Sequence, residues 1–222
     1  NQYVFIVGMP RCGSTLLESI LSLNPEVKDM GEVCFLEESL LKTDDLLNVK
    51  KLYSEKVKLI GSQKKIYTDK NLFNFLYCPI IYKIFPNARI IHCKRNPLDN
   101  ILSIYRTNFL NQSFSSSLKD IAELYLYHLE LMDEYKNKFG SIIYDYDHDK
   151  VVQNPKENIL NLVNWLDWEW NDKYLSPHKT TRSVFTASSA QVREKINSQS
   201  SGYWKKYENL LKPVSELFLT YN

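Results

Sequence analysis

Cysteine is scarce and scattered in this chain. Cys12, Cys34, Cys78 and Cys93 are its four, and no two stand in CxxC spacing, which argues against a zinc site or a dithiol redox motif. Four dispersed cysteines in 222 residues read instead as small buried side chains of a reducing compartment. Long apolar runs are missing too: nothing approaches the ~20 residues that span a bilayer. The first apolar segment, Tyr3 to Val7, is too short for the core of a secretion signal. Neither charge dominates, the net value being +2, so composition gives no ground for a nucleic-acid partner. It leaves room for a local basic site that holds an anionic ligand. Repeats and low-complexity tracts are absent. Methionine is missing from the first position; Asn1 leads straight into the apolar segment, as in a domain excised from a longer chain.

What is present suits one soluble domain over residues 1–222, with 44% apolar and 24% charged residues. Fifteen Tyr, ten Phe and four Trp point to a well-packed interior, since these rings bury large surfaces around a polar tip. Tyr3 to Val7 is a continuous apolar run of the kind buried on both faces of a parallel sheet. A glycine-containing break over Gly8–Ser14 follows, then Leu16, Leu17, Ile20 and Leu21 at helical spacing, closed by Asn24-Pro25. Residues 35–60 read as one or two helices closed by Gly61, and residues 72–85 as a helix interrupted by Pro79. A second strand covers Ala88–Cys93, after which Asn96 caps a helix with Pro97 at its first position. A polar linker over Ser113–Ser117 precedes the longest helix, whose apolar stripe runs from Leu118 to Tyr135 and ends at Gly140. The third strand covers Ser141–Tyr146, Pro155 opens another helix, residues 170–201 are polar and irregular, and a short helix closes the chain. Alternating strands and helices imply a parallel α/β sheet, with ligands beyond the carboxyl ends of its strands.

Two loops stand at those ends. Gly8-Met9-Pro10-Arg11-Cys12-Gly13-Ser14-Thr15 has the outline of a phosphate loop, but Ser14 occupies the place of the Walker lysine. Backbone amides at a helix start still bind an oxyanion, and Arg11 adds a planar donor fork. After the second strand come Lys94-Arg95-Asn96-Pro97, with Ser103 eight residues beyond Arg95 and Arg106 three further on. Two phosphate-binding loops, neither a complete nucleotidase motif, suggest a nucleotide with phosphates at both ends.

Phe5 to Thr15 resembles the 5′-phosphosulfate loop of the sulfotransferase superfamily, and Arg95 with Ser103 resembles its 3′-phosphate motif. Gly31-Glu32, Thr68-Asp69-Lys70, Thr186–Arg193 and Ile196–Trp204 resemble further family segments in the family's order. The nearest branch is that of the tyrosylprotein sulfotransferases, including bacterial domains fused behind tetratricopeptide repeats. The resemblance implies a P-loop nucleoside-triphosphate-hydrolase-like fold, a central parallel sheet between helices in three α/β/α layers. It implies transfer of a sulfuryl group from 3′-phosphoadenosine 5′-phosphosulfate (PAPS, leaving as PAP) to a hydroxyl of a peptide tyrosine, glycan or small molecule, with no metal. The transition state is loose and electron-poor, by analogy with phosphoryl transfer. Glu32, twenty-one residues after Arg11, takes the general-base position, ahead of His92, which lies within a strand. Arg11, Lys70 and Ser188 match positions that stabilise the leaving group. Arg11, Cys12, Gly13, Ser14, Thr15, Arg95, Ser103, Arg106, His148, Gln191, Val192, Arg193 and Asn197 match donor-binding positions.

The sequence also departs from the pattern. His148-Asp149 stands where the family carries Tyr-Glu, leaving the nucleotide contact between His148 and Tyr146; Lys195 replaces a proline and Tyr203 a lysine. Met30 and Thr68 stand where animal luminal enzymes have cysteines, which implies a cytoplasmic bacterial enzyme. Residues 35–61 and 109–118 are expected to shape the acceptor pocket. A nucleotide kinase or other P-loop NTPase, which needs a lysine at Ser14, and a non-catalytic binding module are the alternatives.

Overall fold

The computed structural model describes residues 2–107, 109, 113–179 and 194–219. Five parallel strands form one sheet in the order β2-β3-β1-β4-β5: β1 (Gln2–Gly8), β2 (Val27–Asp29), β3 (Ile66–Asp69), β4 (Arg89–Lys94) and β5 (Ile143–Asp147). The sequence discloses three of these. β2 is three residues long at the edge, and β3 ends in Thr68-Asp69, so neither presents an apolar run. Register aligns the carboxyl ends: Gly8 lies beside Cys93, and Phe5 beside Asp69.

Alternation along β1 divides the core. Tyr3, Phe5 and Val7 face a layer containing α3 (Leu46–Leu59), α4 (Cys78–Ile84) and α6 (Leu118–Phe139). Val4 and Ile6 face α1 (Ser14–Leu21) and α8 (Pro155–Trp165). The result is the expected three-layer α/β/α sandwich. A third cluster joins α6 to α5 (Pro97–Tyr105) and α9 (Glu208–Leu219) beyond the strand ends. No helix among the described residues is long and apolar enough to cross a membrane.

Local chemistry sets the element ends. The Asn96 side chain accepts from the amides of Leu98 and Asp99 at 3.1 and 3.2 Å, and Pro97 takes the position where no amide donor is needed. Ser117 caps α6, and Gly140 follows its last residue. The stretch 35–61 forms α2 (Phe35–Leu40) and α3, the latter capped by Asp45. Pro79 starts rather than interrupts a helix: a 3-10 turn over Leu72–Tyr77 precedes it, and Pro79 sits in the first turn of α4. The linker at Ser113–Ser116 is a single 3-10 turn, and α7 (His148–Gln153) follows β5 directly.

Candidate active site

The loop between β1 and α1 takes a shape that glycine makes possible. Gly8 has φ +148, and a Cβ there would stand 2.5 Å from the Cys93 carbonyl oxygen. Gly13 has φ +95, and its Cβ would meet His148 Nδ1 at 2.3 Å. Arg11 adopts φ +66, a left-handed conformation costly for a side chain of its size.

The second loop holds the first. Asn100 Nδ2 donates to the Pro10 carbonyl at 2.8 Å, Arg95 Nη1 to that of Arg11 at 3.2 Å, and Cys93 Sγ to that of Cys12 at 3.4 Å. Three successive carbonyls are thus engaged from the β4 side. Arg11 Nε donates to Ser103 Oγ at 3.2 Å, tying the side chains of both loops together. Burial and then the neighbouring Arg95 lower the Arg11 pKa.

A cavity of about 470 Å³ opens beside these groups, lined by Arg11, Gly13, Thr15, Arg95, Ser103 and His148 among others. Arg106 and Asn197 also line it. The Arg106 guanidinium stacks over Tyr203 and Tyr207 at 5.3 and 5.6 Å, whereas Asn197 bonds within its own turn to Glu194 and Lys195. The 194–204 segment is held down by Asp99, which accepts from the amides of Gly202 and Trp204, and by Arg95 Nη2 donating to the Ser200 carbonyl at 2.7 Å. His148, not Tyr146, reaches this cavity; Tyr146 is buried in the core. Burial and then Arg95 bring the His148 pKa down to about 4. Cys12 turns its thiol into the core and lines no cavity. Ser188, Gln191, Val192 and Arg193 lie outside the described residues.

A second cavity of about 470 Å³ lies on the other side of the same loop, sharing Arg11, Gly13 and Thr15 and adding Ser14, Glu32, Lys70, Phe73, Tyr77 and Phe109. Lys70, at the end of β3, is fully buried, and its Nζ sits 2.7 Å from Glu32 Oε1 and 3.9 Å from Glu18 Oε2. Gly31, at φ +70, turns the chain so that the Lys70 amide bonds its carbonyl at 2.9 Å, laying Glu32 beside Lys70. Glu18 of α1 is wholly buried, and its Oε1 accepts from the Gly31 amide at 3.1 Å. Asp69 accepts from Tyr53 Oη at 3.0 Å and from Asn74 Nδ2 at 3.1 Å, and burial raises its pKa to about 7. Glu18 does not stand out in the sequence, and Asp69 does so only as part of the Thr68-Asp69-Lys70 segment, because a carboxylate inside a helix or at a strand end reads as solvated until its burial is known.

His92 lines neither cavity. Its ring is buried between Asp145 Oδ1 at 2.8 Å and His128 Nε2 at 2.9 Å, and burial pushes both imidazoles toward neutrality.

The sulfotransferase family model described as "Sulfotransferase family" matches residues 3–54 and 45–172, spanning both loops and the Glu32 and Lys70 segments. The chain belongs to the sulfotransferase family. It is 32% identical to an uncharacterised protein of Aquifex aeolicus over 96% of its own length, and spans 32% of that relative. A putative protein-tyrosine sulfotransferase of Caenorhabditis briggsae is 24% identical, with 92% of this chain and 81% of that protein covered. Among solved structures, the sulfotransferase domain of the Synechococcus PCC 7002 olefin synthase superposes with a TM-score of 0.74 at 16% identity, over 92% of this chain and 87% of that one. Mouse sulfotransferase SULT7A1 complexed with PAP gives 0.56 at 16% identity, over 92% and 78%. The chain therefore shares the fold of such domains, and it spans about a third of its Aquifex relative.

Proposed function

We propose that the described cavities are the two halves of a PAPS-dependent sulfotransferase site, and that the acceptor is a hydroxyl of the tyrosine type. The observation that carries this reading is that both cavities open onto one phosphate loop, each touching Arg11, Gly13 and Thr15. The residues of the first cavity fit the donor: a left-handed glycine where a Cβ would clash, three arginines, and buried Arg95 Nε and His148 Nδ1 with no partner among the described residues. PAP in the mouse enzyme and the tyrosine acceptor in the name of the nematode relative support the same assignment.

The amides of Cys12 to Thr15 with Arg11 would hold the 5′ end, and Arg95 with Ser103 the 3′ phosphate; Arg106 and Asn197 close the rim. When bound, the donor supplies an activated sulfuryl group on its 5′-phosphate. Glu32 accepts the proton of the acceptor hydroxyl, a carboxylate exposed to the second cavity and oriented by Lys70. Arg11 and Lys70 place positive charge where the departing phosphate gains negative charge. Ser14, in place of a Walker lysine, suits a ligand with no γ-phosphate to grip. We assign the described residues to one catalytic domain. The four free cysteines support a reducing, cytoplasmic setting in a bacterium.

Adenosine 3′,5′-bisphosphate should raise the melting temperature more than ATP with Mg²⁺ does, and labelled sulfate should pass from donor to a tyrosyl peptide. No stabilisation by the bisphosphate would overturn the assignment.

A further inference from the structure

Charge in the second cavity is sorted by depth. Its cations lie inward: Lys70 is fully buried against Glu32 and Glu18, and Arg11 is bonded to Ser103 and shared with the donor side. Its carboxylates, Glu32 and Glu37, are both exposed. The adjacent Glu38 is satisfied by Lys56, which leaves the cavity, but among the described residues no ion pair or hydrogen bond engages the Glu37 carboxylate.

Glu37 acts electrostatically on two other residues of the cavity. Burial and then Glu37 raise the pKa of Cys34 on the α2 side and, independently, that of Tyr77 on the 3-10 turn opposite. Both groups line the cavity. Leu72, Phe73, Leu76 and Phe109 give the same cavity an apolar and aromatic wall. A flat apolar body is accommodated there, and the charge at its outer edge meets a carboxylate with aromatic rings nearby, a combination that attracts a cation and repels an anion.

Resting on the sulfotransferase reading above, we infer that Glu37 selects aromatic hydroxyl acceptors that carry a positive charge near the reacting hydroxyl. Two sources share this chemistry: a small phenolic amine, and a tyrosine flanked by basic residues in a peptide. Glu37 acts as a specificity determinant and Glu32 as the base.

The test uses three phenols of one shape: tyramine, 4-ethylphenol and 4-hydroxyphenylpropionate, together with a tyrosyl peptide flanked by lysines and one flanked by glutamates. Transfer of labelled sulfate should favour tyramine over the propionate by roughly tenfold in kcat/KM, because an attraction is exchanged for a repulsion and each alone moves affinity a few-fold. Glu37→Gln should collapse that ratio toward one, Glu37→Lys should invert it, and added salt should shrink it. A preference for the lysine-flanked peptide over tyramine, or the reverse, supports the inference and identifies the source. Equal use of the three phenols, or preference for the propionate or the glutamate-flanked peptide, overturns it while leaving sulfuryl transfer standing. If no acceptor is sulfated, the sulfotransferase reading fails. Calorimetric binding of the same phenols to the PAP-loaded protein then decides separately, and equal or undetectable binding of tyramine in the wild type and Glu37→Gln overturns the inference.

Discussion

Lys70 meets Glu32 at 2.7 Å while its own side chain is wholly shielded from solvent and that of Glu32 is 58% exposed. The pair joins the buried end of β3 to the open second cavity, so the two partners should respond differently to mutation. Lys70→Met removes a buried cation that faces two carboxylates, and should lower stability by about 3 kcal/mol together with activity. Urea denaturation read beside labelled-sulfate transfer checks both.

Glu32→Gln keeps the shape of an exposed side chain and removes its basicity. Turnover should fall by a factor on the order of 10² to 10⁴, with stability nearly unchanged. A variant that keeps wild-type kcat would remove Glu32 from the mechanism.

Arg95→Lys preserves charge and loses the fork that joins the Arg11 and Ser200 carbonyls. Affinity for adenosine 3′,5′-bisphosphate should drop by about tenfold or more, measured by calorimetry, since a point charge cannot make both bonds in that geometry.

Gly13→Ala meets two obstacles, a left-handed backbone and the His148 ring. It should cost roughly 1–3 kcal/mol and weaken the bisphosphate-induced thermal shift. Adding His148→Ala relieves the collision but not the backbone, so the double variant should recover stability in part.

His148 gives a pH signature. Its pKa of about 4 in the folded chain lies below its ordinary value of 6.5, so the unfolded chain takes up the proton first on acidification. The contribution is therefore fully present above pH 6.5 and is lost as pH falls toward 4, by about 3 kcal/mol in all. His148→Gln should flatten that loss in denaturation midpoints taken across the window. Asp69, with its pKa raised to about 7, works in the opposite direction: its contribution is present below pH 4 and declines as pH rises through 7. Asp69→Asn should therefore steepen the acid-side loss.

Much of this architecture can be read from the chain because its signals are local. Three strands with apolar runs, the glycine loop, and the Asn96-Pro97 cap each follow from neighbouring residues. The edge strand Val27–Asp29 and the polar strand Ile66–Asp69 cannot be read that way, since only pairing makes them strands, Ile66–Asp69 with β1 and Val27–Asp29 with β3. The same limit hides Glu18 and the burial of Asp69. Their importance comes from burial against Gly31, Tyr53 and Lys70, contacts between segments 13 or more residues apart in some cases and never announced by spacing. Glu37 is hidden for the converse reason: its neighbour Glu38 finds a cation, and among the described residues it does not.

The carbonyls of Pro10, Arg11 and Cys12 are all fastened from the β4 side, by Asn100, Arg95 and Cys93. The two loops are thereby parts of one gauge, mounted on hydrogen-bonded strands about 4.8 Å apart. Its calibration lies in the sheet, and a loop cannot be re-aimed without loosening the other. On the proposed assignment such a gauge would read the span between two charged ends of a molecule, and a ligand charged at one end alone would engage half of it.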